Sequence, residues 1–250
     1  MDSEKNALIV GASYGLGRAV SIGLAQAGYN VILLARGKAG LHETRELLGS
    51  AKRVLVIEAD ISKTSDVEET VATITQHFDR LHLVWHGASP FSADTLENVS
   101  VEMLHAFADI TFFGTLLLTK KLIPLLKGAN GARIFIANTT WALPNAIGPS
   151  PFSSAKYALI GLQQGLNNEL KRFNIYTTTL YIGQVRSRES VNDEASLVLG
   201  EADLIQSSEI VETVIFIAGL RTAYVPSIVL RDSSSPWRYS TDLGEWTKET

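Results

Sequence analysis

The sequence predicts an α/β chain built on a doubly wound parallel sheet of about seven strands with helices on both faces. Three observations carry this. Seven short runs rich in Val, Ile and Leu alternate with longer stretches of helical period. Most of those runs are continuously apolar, the pattern of strands buried on both faces. No Pro-, Gly- or Ser-rich linker and no internal repeat divides the 250 residues, so the chain reads as a single domain, 1–250, with a polar C-terminal tail at 232–250.

The strand segments are ALIV (7–10), NVILLA (30–35), RVLVIEA (53–59), LHLVWHG (81–87), ARIFIAN (132–138), YTTTLYIG (176–183) and PSIVLR (226–231). Helical patterns fill 15–27, 38–49, 65–78, 99–127, 153–173 and 208–220. Thr64, Ser65 and Asp66 offer N-caps for the third of these, and Gly128 a C-cap for the fourth. Strand–helix alternation implies right-handed crossovers and a sheet covered on both sides.

Composition narrows the function. An apolar share of 46% supports a sizeable core. A net charge of −4 provides no basic field, so nucleic acid is not an expected partner. The absence of cysteine excludes disulfides, thiolate catalysis and Cys-ligated metal, and agrees with a reducing, cytoplasmic setting. The polar opening MDSEKN runs straight into ALIV and shows no secretory signal. The greasiest segment, FFGTLLL (112–118), stops at Lys120 and Lys121, too short to span a bilayer, so no membrane partner is expected. His42, His77, His82, His86 and His105 show no ligand spacing, and Glu68 and Glu69 sit on a solvated helix face, so no metal site is expected.

The first motif is VGASYGLG (10–17), directly after a strand and opening a helix. Gly11 permits the tight turn, while Gly15 and Gly17 let a pyrophosphate and the helix approach the backbone. A glycine triplet alone is weak, and its bland alternative is a turn that needs positive φ. In this strand–turn–helix setting it indicates a Rossmann-type dinucleotide site. The second strand ends in ARGK, where a carboxylate would pair with ribose hydroxyls and a base would accept a 2′-phosphate. Arg36, helped by Ser13 and Lys38, makes NADP(H) the expected cofactor over NAD(H); the alternative is a solvated surface arginine.

From residue 6 to 232 the sequence resembles the short-chain dehydrogenase/reductase family. The glycine spacing is that family's form of the fingerprint. EADIS (58–62) matches the segment whose aspartate contacts adenine, GARIFIANTT (131–140) the strand leading to the catalytic serine, FSSAK (152–156) the Tyr-x-x-x-Lys motif, and IGQVRS (182–187) the Pro-Gly loop over the nicotinamide. The resemblance implies cofactor contacts from Gly11, Ser13, Tyr14, Gly15, Leu16 and Gly17 in the turn, and from Arg36, Asp60 and Ile61. It implies others from Gly87, Lys156, Gly183, Val185 and Ser187. A homodimer or homotetramer paired through helices 99–127 and 153–173, acting on a small-molecule substrate, is likewise expected from it.

The catalytic positions depart from the family pattern. Lys156 stands where the lysine grips the nicotinamide ribose, but the tyrosine position one helical turn before it is Phe152, which has no proton to give. The serine position is Thr139, the helix asparagine is Thr111, the strand end is Trp85 to Ala88, and the proline is Ile182. Losing a general acid costs about 10²–10⁴ in rate unless another group supplies the proton. Tyr157 points about 100° away around the helix and is expected to pack. His86 ends the fourth strand and suits neutral-pH proton transfer, its alternative being a packed structural imidazole. Lys156 itself, or a water between it and Thr139, is a third route. The loop 186–196 reads as a polar lid or a plain surface connection, with specificity expected in 186–206, and Trp141, Leu143 and Phe152 suggest an apolar pocket.

Two functions from different classes follow. One is an NADP(H)-dependent oxidoreductase with a non-standard proton donor, acting on a small carbonyl, imine or activated alkene. The other is a redox-silent NADP(H)-binding scaffold or sensor, or a non-redox isomerase or lyase using the same pocket.

Overall fold

The computed structural model describes residues 4–50, 53–146, 148–186, 204–232, 237–240 and 245–248. The strands are β1 (Lys5–Val10), β2 (Tyr29–Ala35), β3 (Val54–Glu58), β4 (Leu83–His86), β5 (Arg133–Thr139), β6 (Tyr176–Ile182) and β9 (Ser227–Leu230), with a short pair β7 (Val185–Arg186) and β8 (Ile205–Gln206) between the last two. The first six and β9 form one sheet in the order β3–β2–β1–β4–β5–β6–β9, and every adjacent pair is parallel. The order reverses between β1 and β4, the place where an open α/β sheet leaves a crevice outside its carboxyl ends. Val10 pairs with Leu34 and with His86, so the β1 and β4 exits stand level there.

The helices are α1 (Gly15–Gln26), α2 (Lys38–Leu47), α3 (Thr64–His77), α4 (Val101–Ala106), α5 (Thr115–Lys127), α6 (Ser150–Leu170) and α7 (Ser207–Gly219). They divide between the two faces. Leu8, Ile32, Val84 and Ile134 pack under Val67 and Ile74 of α3, Leu118 and Leu122 of α5 and Leu159 and Leu166 of α6. Ala7, Ile9, Leu33 and Phe135 pack under Val20 and Leu24 of α1, Leu41 of α2 and Ile210 and Val214 of α7. The near-absence of polar alternation in these strands is the direct consequence of covering both faces.

Several elements differ from expectation. The helix expected at 99–127 is one 27-residue run, Val101–Lys127, interrupted by a π-helical segment, Phe107–Gly114. Judged over its whole length it is long and apolar enough to cross a bilayer, which the seven residues of 112–118 alone did not suggest. Here its α5 part packs on the sheet. Thr64, Ser65 and Asp66 do not cap α3 from outside; Lys63 is the N-cap, and Asp66 in the first turn accepts from the Asp60 amide at 3.0 Å. Helix α6 begins at Ser150, with Pro151 in its first turn, where proline costs no hydrogen bond. The polar tail carries an antiparallel hairpin, β10 (Trp237–Ser240) with β11 (Glu245–Lys248).

A Cβ added at Gly17 would lie 1.9 Å from the Gly11 carbonyl oxygen, whereas one added at Gly161 in α6 meets nothing within 4 Å. Gly17→Ala should therefore lower unfolding stability by about 1–3 kcal/mol, while Gly161→Ala should leave it equal or raise it by up to about 1 kcal/mol. Urea midpoints of the two variants check both.

Candidate functional site

The turn between β1 and α1 is held by contacts that only glycine allows. Gly11 has φ +88°, donates its amide to Leu34 O at 2.8 Å, and would place a Cβ 3.0 Å from the Ala88 amide nitrogen at the β4 exit. Gly15 has φ +56° and faces open space. Tyr14, the N-cap of α1, makes no side-chain capping bond, and the first helical turn has no acidic residue. The first N–H groups of α1 are thus left for an anion, with the helix dipole behind them. This cradle fits the pyrophosphate of a dinucleotide, held by the amides around Gly15, Leu16 and Gly17.

Sequence reasoning did not pick out the braces behind this turn. The Arg18 guanidinium donates to the Ser13 carbonyl, to Thr44 Oγ1 at 3.1 Å and to Glu43 Oε2 at 2.8 Å, tying the turn to α2. Arg36 is solvent-exposed just beyond β2. Burial raises the Asp60 carboxyl, but hydrogen bonds from the Ser62 hydroxyl and amide and the charges of Arg36 and Lys63 outweigh it and hold the group below the usual carboxylate range. Ile61 beside it is buried.

At the other end of the crevice, β5 and α6 hold Lys156. Its side chain is 6% exposed, its Nζ donates to Ala137 O at 3.2 Å, and it lies 5.5 Å from the Phe152 ring centroid. No carboxylate among the described residues pairs with it, and burial lowers its pKa to about 8. Asn138, absent from the sequence-derived set, is the clasp: its Nδ2 donates to Lys156 O at 3.1 Å and its Oδ1 accepts from the Thr139 amide at 2.8 Å. The signal was present as a polar residue at the end of an apolar strand. Thr139 Oγ1 accepts from Trp141 N at 3.2 Å and caps the 3₁₀ turn Thr140–Ala142.

Phe152 is 6% exposed and sits among three other rings. Phe91 and Trp141 meet it edge-on at 5.3 and 6.0 Å, and Phe107 from the π-helical segment at 5.8 Å. Phe91, itself exposed, stacks on Trp141 at 6.3 Å. Phe91 and Phe107 join Trp141 and Phe152 here, while Leu143 is half-buried at the end of the 3₁₀ turn. Thr111, in the same π-helical segment, is buried with its hydroxyl 2.9 Å from Ser89 Oγ. Gly87 donates to Val10 O at 3.0 Å and could carry no side chain, since a Cβ would lie 2.4 Å from Trp85 Nε1. Gly183 is bonded to Leu230 O and is crowded by the Asp232 carboxylate, which accepts the Gln184 amide at 3.0 Å. Val185 begins the short strand paired to Ile205. Ser187 and nearly all of the 186–206 loop lie outside the described residues.

His86 is not available for proton transfer. It is 4% exposed, its Nε2 lies 2.9 Å from Thr119 Oγ1 on α5, and Thr119 gives its own proton to Thr115 O at 2.7 Å. Nε2–H is therefore the donor, and Nδ1 is buried without a partner. Burial lowers the imidazole pKa to about 4, so it is neutral at pH 7 and faces a helix instead of the crevice. Tyr157 is not packed as expected but 43% exposed, and it acts on Tyr181 of β6.

These features have counterparts in known proteins. A profile of the short chain dehydrogenase family matches residues 5–196. The chain belongs to that family. An uncharacterized oxidoreductase of Staphylococcus epidermidis is 25% identical over 85% of this chain and 90% of its own length. An 11-beta-hydroxysteroid dehydrogenase-like protein of Arabidopsis thaliana is 30% identical over 66% of this chain and 54% of its own. Among solved structures, L-sorbose reductase of Gluconobacter frateurii, complexed with NADPH and L-sorbose, superposes with a TM-score of 0.81 at 21% identity, covering 92% and 95% of the two chains. The Pseudomonas aeruginosa RhlG/NADP complex gives 0.82 at 23%, covering 93% and 96%. The structural likenesses show the shared fold.

A histidine whose folded pKa is depressed leaves the unfolded chain to bind the proton first, so its contribution is whole above pH 6.5 and is lost as pH falls toward about 4. The stability lost over that window should be about 3 kcal/mol, and His86→Gln should flatten the slope. Denaturant unfolding at pH 7, 5.5 and 4 measures it.

Proposed function

We propose that this short-chain dehydrogenase relative is an NADP(H)-dependent oxidoreductase that works without the tyrosine hydroxyl, on a small carbonyl, imine or activated alkene. The observation that carries the reading is the open glycine turn at one end of the crevice and, at the other, a buried Lys156 with no carboxylate partner among the described residues, its amine over the Phe152 ring. When bound, the nicotinamide nucleotide supplies or accepts the hydride. The amides of the glycine turn hold its pyrophosphate, and Asp60 and Ile61 border its adenine. Arg36 meets a 2′-phosphate, since the β2 exit offers a guanidinium and no carboxylate. Lys156 Nζ, with donors left after Ala137 O, holds the nicotinamide ribose. Thr139, fixed through Asn138, orients the substrate's acceptor atom. The NADPH and NADP named in the neighbouring structures support the cofactor choice.

The ring cluster around Phe152 gives the pocket an apolar wall beside Lys156. Substrates with a polarised C=C or C=N ask less of a strong oxygen acid than ketones do. The same reading includes self-association through helices 99–127 and 153–173, which leave Val101, Leu104, Phe113 and Tyr157 exposed. The redox-silent reading is favoured by one observation, the missing hydroxyl at 152.

Titration of NADPH followed by its fluorescence should show binding, and Arg36→Ala should weaken NADPH by about tenfold or more while leaving NADH little changed. Equal losses for the two nucleotides would remove the 2′-phosphate role. Phe152→Tyr should raise ketone reduction by about 10² or more. Wild-type turnover of simple ketones that this substitution does not improve would show the native proton route to be sufficient.

A further inference from the structure

We propose that the Lys156 ammonium is itself the proton donor in this site, acting as the catalytic acid in place of the absent hydroxyl; this rests on the oxidoreductase reading above. The geometry comes first. Side chains on an α-helix lean toward its N-terminus, so a residue four positions on reaches back over the one before it. The Lys156 amine accordingly lies over the Phe152 ring, 5.5 Å from its centroid. One N–H is spent on Ala137 O, two residues before Thr139 on the same strand. An ammonium has three, so proton donors remain beyond that bond.

The surroundings decide whether that proton can leave. On α6 itself Tyr157 is 43% exposed, and Glu169, Lys171 and Arg172 lie at or just beyond the far end of the helix. Arg133 lies at the opposite end of β5, and Asp109 of the π-helical segment is exposed. Among the described residues no charge holds the ammonium, and burial alone governs it, bringing its pKa to about 8. An acid of that strength matches neutral-pH proton transfer better than an unassisted phenol near 10. A tyrosine at 152 would be the stronger competitor for the substrate oxygen, and the phenyl ring leaves the amine unopposed.

The step balances. When a bound reduced nicotinamide nucleotide supplies hydride to a carbonyl or neutral imine carbon, the π pair would move to the heteroatom. That atom takes a proton from Nζ–H. The N–H bond breaks, Lys156 is left as a neutral amine, and it recovers its proton from water.

The test separates the acid from the ribose clamp. The amine's titration is read in the free protein, by pH-dependent reductive methylation of Lys156 quantified on its peptide, with a midpoint expected near 8. The rate is read with phenanthrenequinone, a flat apolar dicarbonyl, under saturating NADPH. Wild-type kcat should fall about tenfold per pH unit above that midpoint. Lys156→Arg keeps the charge and the hydrogen-bond donors but cannot give up a proton. It should still bind NADPH, yet lose about 10² or more in kcat along with the pH dependence. A midpoint near the ordinary lysine value, a kcat flat through alkaline pH, or an arginine variant that keeps its rate each overturns the proposal. So does a wild type that binds NADPH and never oxidises it with the quinone. Failure to bind NADPH at all is a different result, which overturns the oxidoreductase reading beneath it as well.

Discussion

Everything at the crevice depends on how closely α1 begins above the β1 exit. Gly17 sits so near the Gly11 carbonyl that no side chain fits between them, and Gly11 in turn lies against the backbone of Ala88. Those two approaches fix the angle of the first crossover and bring the open amides of α1 over the place where the strand order reverses. Arg18 and Thr44 hold the same turn from the α2 side. A small loosening here would displace the nucleotide cradle without touching the core, because the sheet is secured separately by two apolar layers.

The opposite end is secured by polar bonds and aromatic packing. Asn138 ties the backbone of Lys156 to that of Thr139, fixing where α6 stands against the end of β5. Three rings enclose Phe152, one helical turn before the lysine. An ammonium over one aromatic face and bonded to a single carbonyl, with no counter-charge among the described residues, is an expensive arrangement in low dielectric. Such groups persist where a ligand completes them or where their lowered pKa is used. The equally buried His86 differs: its Nε2 is bonded to Thr119 and its ring is turned to a helix, whereas Lys156 keeps N–H donors beyond Ala137 O.

The sheet was legible because continuous apolar runs with glycine punctuation are the direct imprint of a strand covered twice. The cradle was legible for the same reason, since Gly11 and Gly17 have one backbone task each. What escaped was set by tertiary contact. Asn138 acts through a helix eighteen residues away, and Phe91 and Phe107 reach Phe152 from a loop and from an irregular helix that no periodicity announces. The π-helical segment is invisible to a 3.6-residue pattern. His86 looked available because the sequence places it at a strand end, and only packing shows which way the ring faces. The hairpin in the tail escaped because its four-residue strands are polar on balance, although Trp237, Tyr239 and Trp246 stand at alternating, paired positions.

That irregular helix also joins two parts of the crevice. Phe107 near its start touches the ring at 152, and Gly114 at its end lies so close to the Ile61 carbonyl that an added Cβ would come within 2.7 Å. One segment therefore abuts both the loop after β3 and the aromatic wall. A substitution that shifts it to reshape that wall displaces the Ile61 loop as well, so the two are yoked and neither can diversify along Phe107–Gly114 alone.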